Sequence, residues 1–144
     1  MSVSIGHVAC DTLKDLAIQR LREARVLRDA RHYDGAYYMA GYAVEFALKA
    51  IIAKKFAADS LPDKALIGKV YEHDPSKLIG VAGLRTQLKG DMATDAVLQA
   101  NWQIIKDWTE QSRYVRKTKN DAKDIIRAVG GPGHSFMWWV RKRW

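Results

Sequence analysis

The sequence predicts an all-α protein, an antiparallel up-and-down bundle of four to five main helices with short extra helices. Three observations predict it. The stretch Tyr33 to Phe56 places Ala36, Ala40, Ala43, Ala47 and Ala50 at steps of three and four, so one helical face is lined with methyl groups that let a second helix approach closely. Tyr37, Gly41, Val44, Leu48 and Ile51 form the neighbouring stripe and widen the buried face. No stretch shows sustained two-residue alternation of β-branched residues between turns, so strands are not expected.

Residues 1–10 read as a short tail, with Asp11 or Thr12 as a helix cap. Leu13, Leu16, Ala17, Leu21, Ala24 and Leu27 then trace an apolar stripe, which predicts a first helix to about Arg31. Its other side interleaves Arg20, Arg22, Arg25, Arg28 and Arg31 with Asp15, Glu23 and Asp29, a mixed face suited to solvent. At the joint His32-Tyr33-Asp34, Asp34 is placed to accept the unpaired amides that open the central helix, and the two helices should be antiparallel neighbours. Ser60, Pro62 and Asp63 end the central helix, and a helical turn from Lys64 to Tyr71 is expected after them.

His73-Asp74-Pro75 starts a new helix, because aspartate caps well and proline is tolerated in the first turn. Leu78, Ile79, Ala82 and Leu88 would carry its buried side, weakened by Gly80 and Gly83 and broken at Gly90-Asp91. Ala93, Val97, Ala100, Ile104 and Trp108 predict a further helix reaching about Tyr114. Thr118 with Asp121 resembles a capping box, and Ala122, Ile125, Ile126 and Val129 follow as an amphipathic helix ended by the glycines of residues 130–133. Ser135 to Trp144 gives a last turn or two with Phe136, Trp139 and Val140 inward and Arg141, Lys142 and Arg143 outward.

At 144 residues the chain is read as one domain, 1–144. The formal charge of +8 and pI near 9.7 attract polyanions, among them nucleic acid and acidic proteins. Cys10 is the only cysteine, so no intramolecular disulfide can form, and a cytoplasmic protein is expected. The uncharged stretch Gly35 to Val44 is too short to span a bilayer, so no membrane partner is expected.

The residues exclude several chemistries. His7 and Cys10 are the only close pair of soft ligands, and a metal site needs three or four. No glycine-rich phosphate loop with a following lysine occurs, and with Cys10 in or near the tail and Ser112 on a helix, nothing in the sequence supports either as a nucleophile. No metal and no cofactor are therefore expected. Two features remain. Glu45 lies four residues before Lys49 among large apolar neighbours, which predicts a partly desolvated and therefore paired acid. Trp108, Arg113, Tyr114, Arg116, Lys117 and Lys119 crowd planar and cationic groups together, where guanidinium and ammonium groups can hold phosphates and an exposed ring can stack on a base. Trp108 is in phase with Ile104, which suits a core position, and cations favour helix C-termini for electrostatic reasons alone.

The pattern YDGAYYMAGYAVEFALKAII, then His73-Asp74 before a leucine-bearing helix, then Trp108 with Ser112-Arg113-Tyr114, resembles the HEPN family (higher eukaryotes and prokaryotes nucleotide-binding domain) from about Leu13 to Trp144. The resemblance implies a helical bundle, usually homodimeric, in which Glu45 with Lys49 organises the core together with Asp34, His73, Asp74 and Trp108. Many family members are metal-independent ribonucleases with an arginine followed, after four to six residues, by a histidine. Here the arginine that looks equivalent is Arg113, while positions 118 to 120 hold Thr118, Lys119 and Asn120. Arg25 with His32 and Arg127 with His134 satisfy the loose spacing, and Arg127 with His134, late in the chain, is the better pair.

The resemblance, with the histidine absent, implies a non-catalytic, homodimeric HEPN-like protein in a toxin-antitoxin or defence-type module, binding RNA, a nucleotide or a partner protein. Phosphate would be held by Arg113, Tyr114, Arg116, Lys117 and Lys119. One alternative is a metal-independent endoribonuclease using Arg127 and His134, or Arg113 with a histidine from elsewhere. Another is a basic scaffold for an acidic partner such as a nucleotidyltransferase.

Overall fold

The first two helices set the frame. The structure, a computed structural model, describes residues 10–58 and 71–144. Helix α1 (Cys10–Asp29) and helix α2 (Tyr33–Ala58) lie antiparallel: Leu27 sits over Gly35 at one end, while Leu13 packs with Ala50 and Ala53 at the other. The alanine stripe is the reason for the close contact. Ala36, Ala40, Ala43, Ala47 and Ala50 are all fully buried, and so are Val44 and Leu48 on the neighbouring stripe. The expected tail before Cys10, the turn at Ser60, Pro62 and Asp63, and the helical turn from Lys64 lie outside the described residues.

Between α1 and α2 the chain reverses in a tight C-cap. His32 N donates to Leu27 O (2.8 Å) and Arg31 N to Arg28 O (3.0 Å), the paired bonds of a Schellman motif. Arg31 occupies the left-handed position at φ 65°, where glycine is the usual residue, and an L side chain there costs about 1 kcal/mol. Helix α1 therefore stops short of the expected Arg31.

The remaining chain wraps this pair with α3 (Pro75–Val81), α4 (Arg85–Thr94), α5 (Ala96–Lys106), the 3₁₀ helix η1 (Glu110–Tyr114), α6 (Lys119–Gly130) and α7 (Phe136–Arg141). No strand occurs among the described residues, and five of the helices, α1 and α2 included, have ten residues or more, in keeping with the predicted all-α bundle. Asp74 caps α3 as expected, accepting from Ser76 N at 2.9 Å.

Three sequence expectations need correction here. The helix opened by Pro75 does not continue to Leu88, because Gly83 at φ 73° turns the chain and α4 begins afresh at Arg85. Gly90 and Asp91 do not break α4; Gly90 is exposed with open space around it, so it removes no packing, and the break comes at Asp95, whose carboxylate caps α5 through Leu98 N (3.0 Å). Nor does one helix reach Tyr114. It ends at Lys106, and Trp108 lies in the bend before η1. The inward stripe of α5 is Leu98, Trp102 and Ile105, while Val97 and Ala100 are exposed. Leucine and tryptophan bury more apolar area than alanine and valine, which decides the register.

Trp108 is fully buried as expected and closes the core between α2 and η1. Its ring rests on Gly41, so closely that a Cβ added there would lie 2.0 Å from Trp108 Cε2. Helix α6 begins with the anticipated capping box, Thr118 with Asp121, and ends against α1, where Arg25 Nη2 donates to Gly130 O (3.0 Å). Arg143, expected outward, folds back instead: Nη1 donates to Trp139 O (2.8 Å) and Nη2 to Asp91 (3.1 Å). No helix among the described residues is long and apolar enough to cross a membrane.

Candidate nucleotide and RNA site

Helix α2 sends one polar stripe out of its buried surface: Tyr38, Tyr42, Glu45 and Lys49, spaced so that they stack along one line of the helix. Glu45 is only 3% exposed and is paired twice. Lys49 Nζ donates to its Oε2 at 3.1 Å, as the sequence predicts, and His73 Nδ1 lies 2.7 Å from its Oε1. The second partner comes from the loop before α3, whose backbone is fixed by Glu72 Oε1, accepting from His73 N and Asp74 N at 3.1 Å each. With the Lys49 ammonium beside it, Glu45 is an acceptor, so His73 Nδ1 carries the hydrogen. Its Nε2 is turned toward η1.

Facing it is Glu110, with Oε2 3.4 Å from His73 Nε2 and Oε1 3.9 Å from Arg113 Nη1. A line of alternating basic and acidic side chains thus runs Lys49, Glu45, His73, Glu110, Arg113, across three segments far apart in sequence. His73 presents one nitrogen to each carboxylate on opposite sides of the ring, so these groups do not converge on a point, and no metal-ligand cluster occurs among the described residues. The aromatic stripe flanks this line. Tyr38 and Tyr42 share a hydrogen bond between hydroxyls (2.8 Å) and pack edge-on, and both contact the Trp108 ring. Burial above all, then the Tyr38 hydroxyl and the charges of Glu45 and Glu110, pushes the Tyr42 phenol up, so it stays protonated. The Tyr114 phenol, and behind it Tyr38, holds the exposed Arg113 guanidinium above its ordinary value, with the guanidinium 4.8 Å from the Tyr114 ring centre.

The predicted phosphate-holding residues sit together at this end of the bundle. Arg113 and Tyr114 lie on η1, both exposed; Arg116 is exposed on the connector, and Lys119 is exposed as the first residue of α6. The connector itself is pinned by Asp34. Its Oδ1 accepts the Lys117 amide at 2.5 Å across 83 residues of sequence, so Asp34 does not serve the cap of its own helix that the sequence suggested. Lys117 Nζ stands 4.3 Å over the Tyr37 ring, which leaves it half-buried.

Arg127 and His134 are not joined by a hydrogen bond or ion pair among the described residues. Arg127 pairs with Asp124 (3.1 Å). His134 Nδ1 meets Asp95 Oδ2 at 2.5 Å while its ring stacks on Trp138 at 3.9 Å. Each is engaged by a carboxylate of its own.

Glu110, Tyr38 and Tyr42 are additions that the sequence alone did not single out. The tyrosines were signalled by their place on one helical line with Glu45; Glu110 was not, because its role exists only once η1 comes beside the loop before α3.

The arrangement offers a guanidinium, an exposed ring and further cations on a fixed connector, next to an imidazole oriented by a buried carboxylate. The Arg113–Glu110 contact is long and half-exposed, so an incoming phosphate can displace Glu110 at little cost. No curated protein and no solved structure matches this chain. The family model of the HEPN domain matches residues 11–131, from the first turn of α1 through the end of α6, and therefore takes in Glu45, His73, Arg113 and the connector. The chain belongs to the HEPN domain family.

Proposed function

We propose that the chain is a non-catalytic RNA- or nucleotide-binding protein of a toxin-antitoxin or defence-type module, acting as a homodimer. Membership of the HEPN family supports a nucleotide- or RNA-related function. The observation that carries the binding reading is the connector after η1. It is fixed in place by Asp34, and Arg116 on it and Lys119 just after it, at the start of α6, are exposed with no carboxylate in ion-pair distance among the described residues. Arg113 and Lys117 add two cations, and Tyr114, 72% exposed, gives a ring for a base. Four such contacts to a single strand imply a slope of about −2.8 in log affinity against log salt. Arg113→Ala with Arg116→Ala should weaken binding and reduce that slope to about −1.4. Salt-insensitive RNA binding, or none, would remove the idea.

One observation favours a second reading. The histidine missing from the spacing after Arg113 is supplied in space by His73, which shares Glu110 with Arg113 and is oriented by Glu45, as a proton-transfer group must be. Single-stranded RNA incubated with the protein in a chelator decides between the two. Cleavage by the wild type that His73→Ala abolishes makes the chain a metal-independent endoribonuclease; intact RNA in both leaves the binding reading standing.

A further inference from the structure

Arg31 stands where the backbone calls for glycine, at φ 65° in the Schellman cap between α1 and α2. The fold makes no use of its side chain: among the described residues the guanidinium has neither a hydrogen-bond partner nor an ion pair. A residue kept in a strained position without a structural contact points to a ligand contact.

Arg31 and Tyr33 together separate two concavities. The larger, about 620 Å³, is bounded by Leu27, His32 and the Arg116-Lys117 connector. The smaller, about 310 Å³, is lined by Arg28, Lys119 and Lys123 beside Arg31. Its one acid, Asp29, is engaged by Arg28 Nε at 3.0 Å. That leaves Arg31, Lys119 and Lys123 as three cations, from α6 and the joint between α1 and α2, with no carboxylate in ion-pair distance among the described residues. An internal phosphodiester brings one charge and two free oxygens. A terminal phosphate monoester brings close to two charges and three acceptor oxygens, which matches three unpaired cations.

Resting on the RNA-binding reading, we propose that the small pocket beneath Arg31 seats a terminal phosphate monoester. The adjoining nucleotide enters the larger cavity beside Tyr33, and Arg116 and Lys117 border its path. The site thus reads the end of a strand, whereas Arg113 and Tyr114 meet its interior.

The test compares a short single-stranded RNA phosphorylated at its 5′ end, at its 3′ end or at neither, bound to the full chain at one salt concentration. One phosphorylated strand should bind about tenfold or more tightly than the strand with two hydroxyl ends. Arg31→Gly and Lys123→Ala should each bring that ratio close to one. Arg31→Gly should also raise Tm by a few degrees, since glycine relieves the left-handed strain, so loss of the preference cannot be put down to unfolding. Competition by a nucleoside monophosphate as strong as by the phosphorylated strand makes the source a free nucleotide; weak competition makes it an RNA end. Equal affinity for all three strands, or a preference that survives both substitutions, overturns the proposal. If in that case Arg113→Ala with Arg116→Ala still weakens binding, only the terminal pocket falls; a chain that binds no strand overturns both.

Discussion

Replacing Glu45 by alanine should cost the fold about 3 kcal/mol. The carboxylate is 3% exposed and holds Lys49 at 3.1 Å and His73 at 2.7 Å. Removing one member of a buried pair typically costs about 3–5 kcal/mol, most of it from the charge left unpaired. Two features bring this case to the lower end. The Lys49 side chain is 15% exposed and can turn its ammonium toward water, and the His73 ring, 37% exposed, can reach water as well. Against a total stability of about 5–15 kcal/mol, a loss of about 3 kcal/mol is a large fraction, and for a chain of this size it lowers Tm by roughly 10 °C. Urea unfolding followed by circular dichroism measures it directly. A double-mutant cycle with Lys49→Ala should show coupling of at least about 1 kcal/mol, because the two groups are in contact. A shift in stability of less than about 0.5 kcal/mol for Glu45→Ala, or a cycle with no coupling, would refute this role; Glu45 would then be an acid that the core merely tolerates.

Other contacts give further expected outcomes. Gly41→Ala places a methyl 2.0 Å from the buried Trp108 ring, so it should destabilise by about 3 kcal/mol, seen as a lower urea midpoint with an altered tryptophan emission. Asp34→Ala removes the acceptor of the Lys117 amide and should cost about 1 kcal/mol, with faster hydrogen exchange at Lys117 and weaker RNA binding. Three carboxylates lie below their ordinary values: Glu72 through the amides of Asp74 and His73, Asp95 through the Leu98 amide and then His134, and Asp121 through the Thr118 amide and hydroxyl. Depressed folded values mean that their stabilisation is complete above the ordinary carboxylate range and lost as pH falls through the lower folded values. The urea midpoint should therefore hold steady between neutrality and about pH 5 and drop below about pH 4. Replacing the three by Asn or Gln should flatten that drop.

How much of this was legible in the sequence depended on the distance over which each feature is decided. The alanine stripe of α2 and the caps at Asp74 and Thr118 are local, and their side chains lie where the spacing puts them. The register of α5 was not. Ala93, Val97, Ala100 and Ile104 form as regular a stripe as Leu98, Trp102 and Ile105, and only the volume each set can bury separates them. Gly90 misled for a related reason, since an exposed glycine costs a helix only about 1 kcal/mol and α4 absorbs it. The site was half legible. Arg113, Arg116 and Lys119 are closely spaced cations visible in the string, but the Glu45–His73 contact closes 28 residues and the Asp34–Lys117 contact 83. No periodicity announces a partner at that range.

Those two long contacts share an origin that explains why the basic end of the bundle is ordered. Both acids stand on α2, eleven residues apart, which is about three helical turns and so nearly the same face. Asp34 fixes the connector after η1, and Glu45 fixes the loop before α3; η1 bridges the two through Glu110. The cations of η1 and the connector are thus held at the joint between segments rather than on a free loop. Their mutual repulsion is opposed by Asp34 and Glu110, at the cost of two carboxylates that any bound phosphate must approach. A phosphate at Arg113 meets Glu110 and one at the connector meets Asp34, whereas in the pocket at Arg31 the only acid is already engaged by Arg28. Of the three positions, the one with the least opposing charge is the one where the backbone carries strain to keep an arginine.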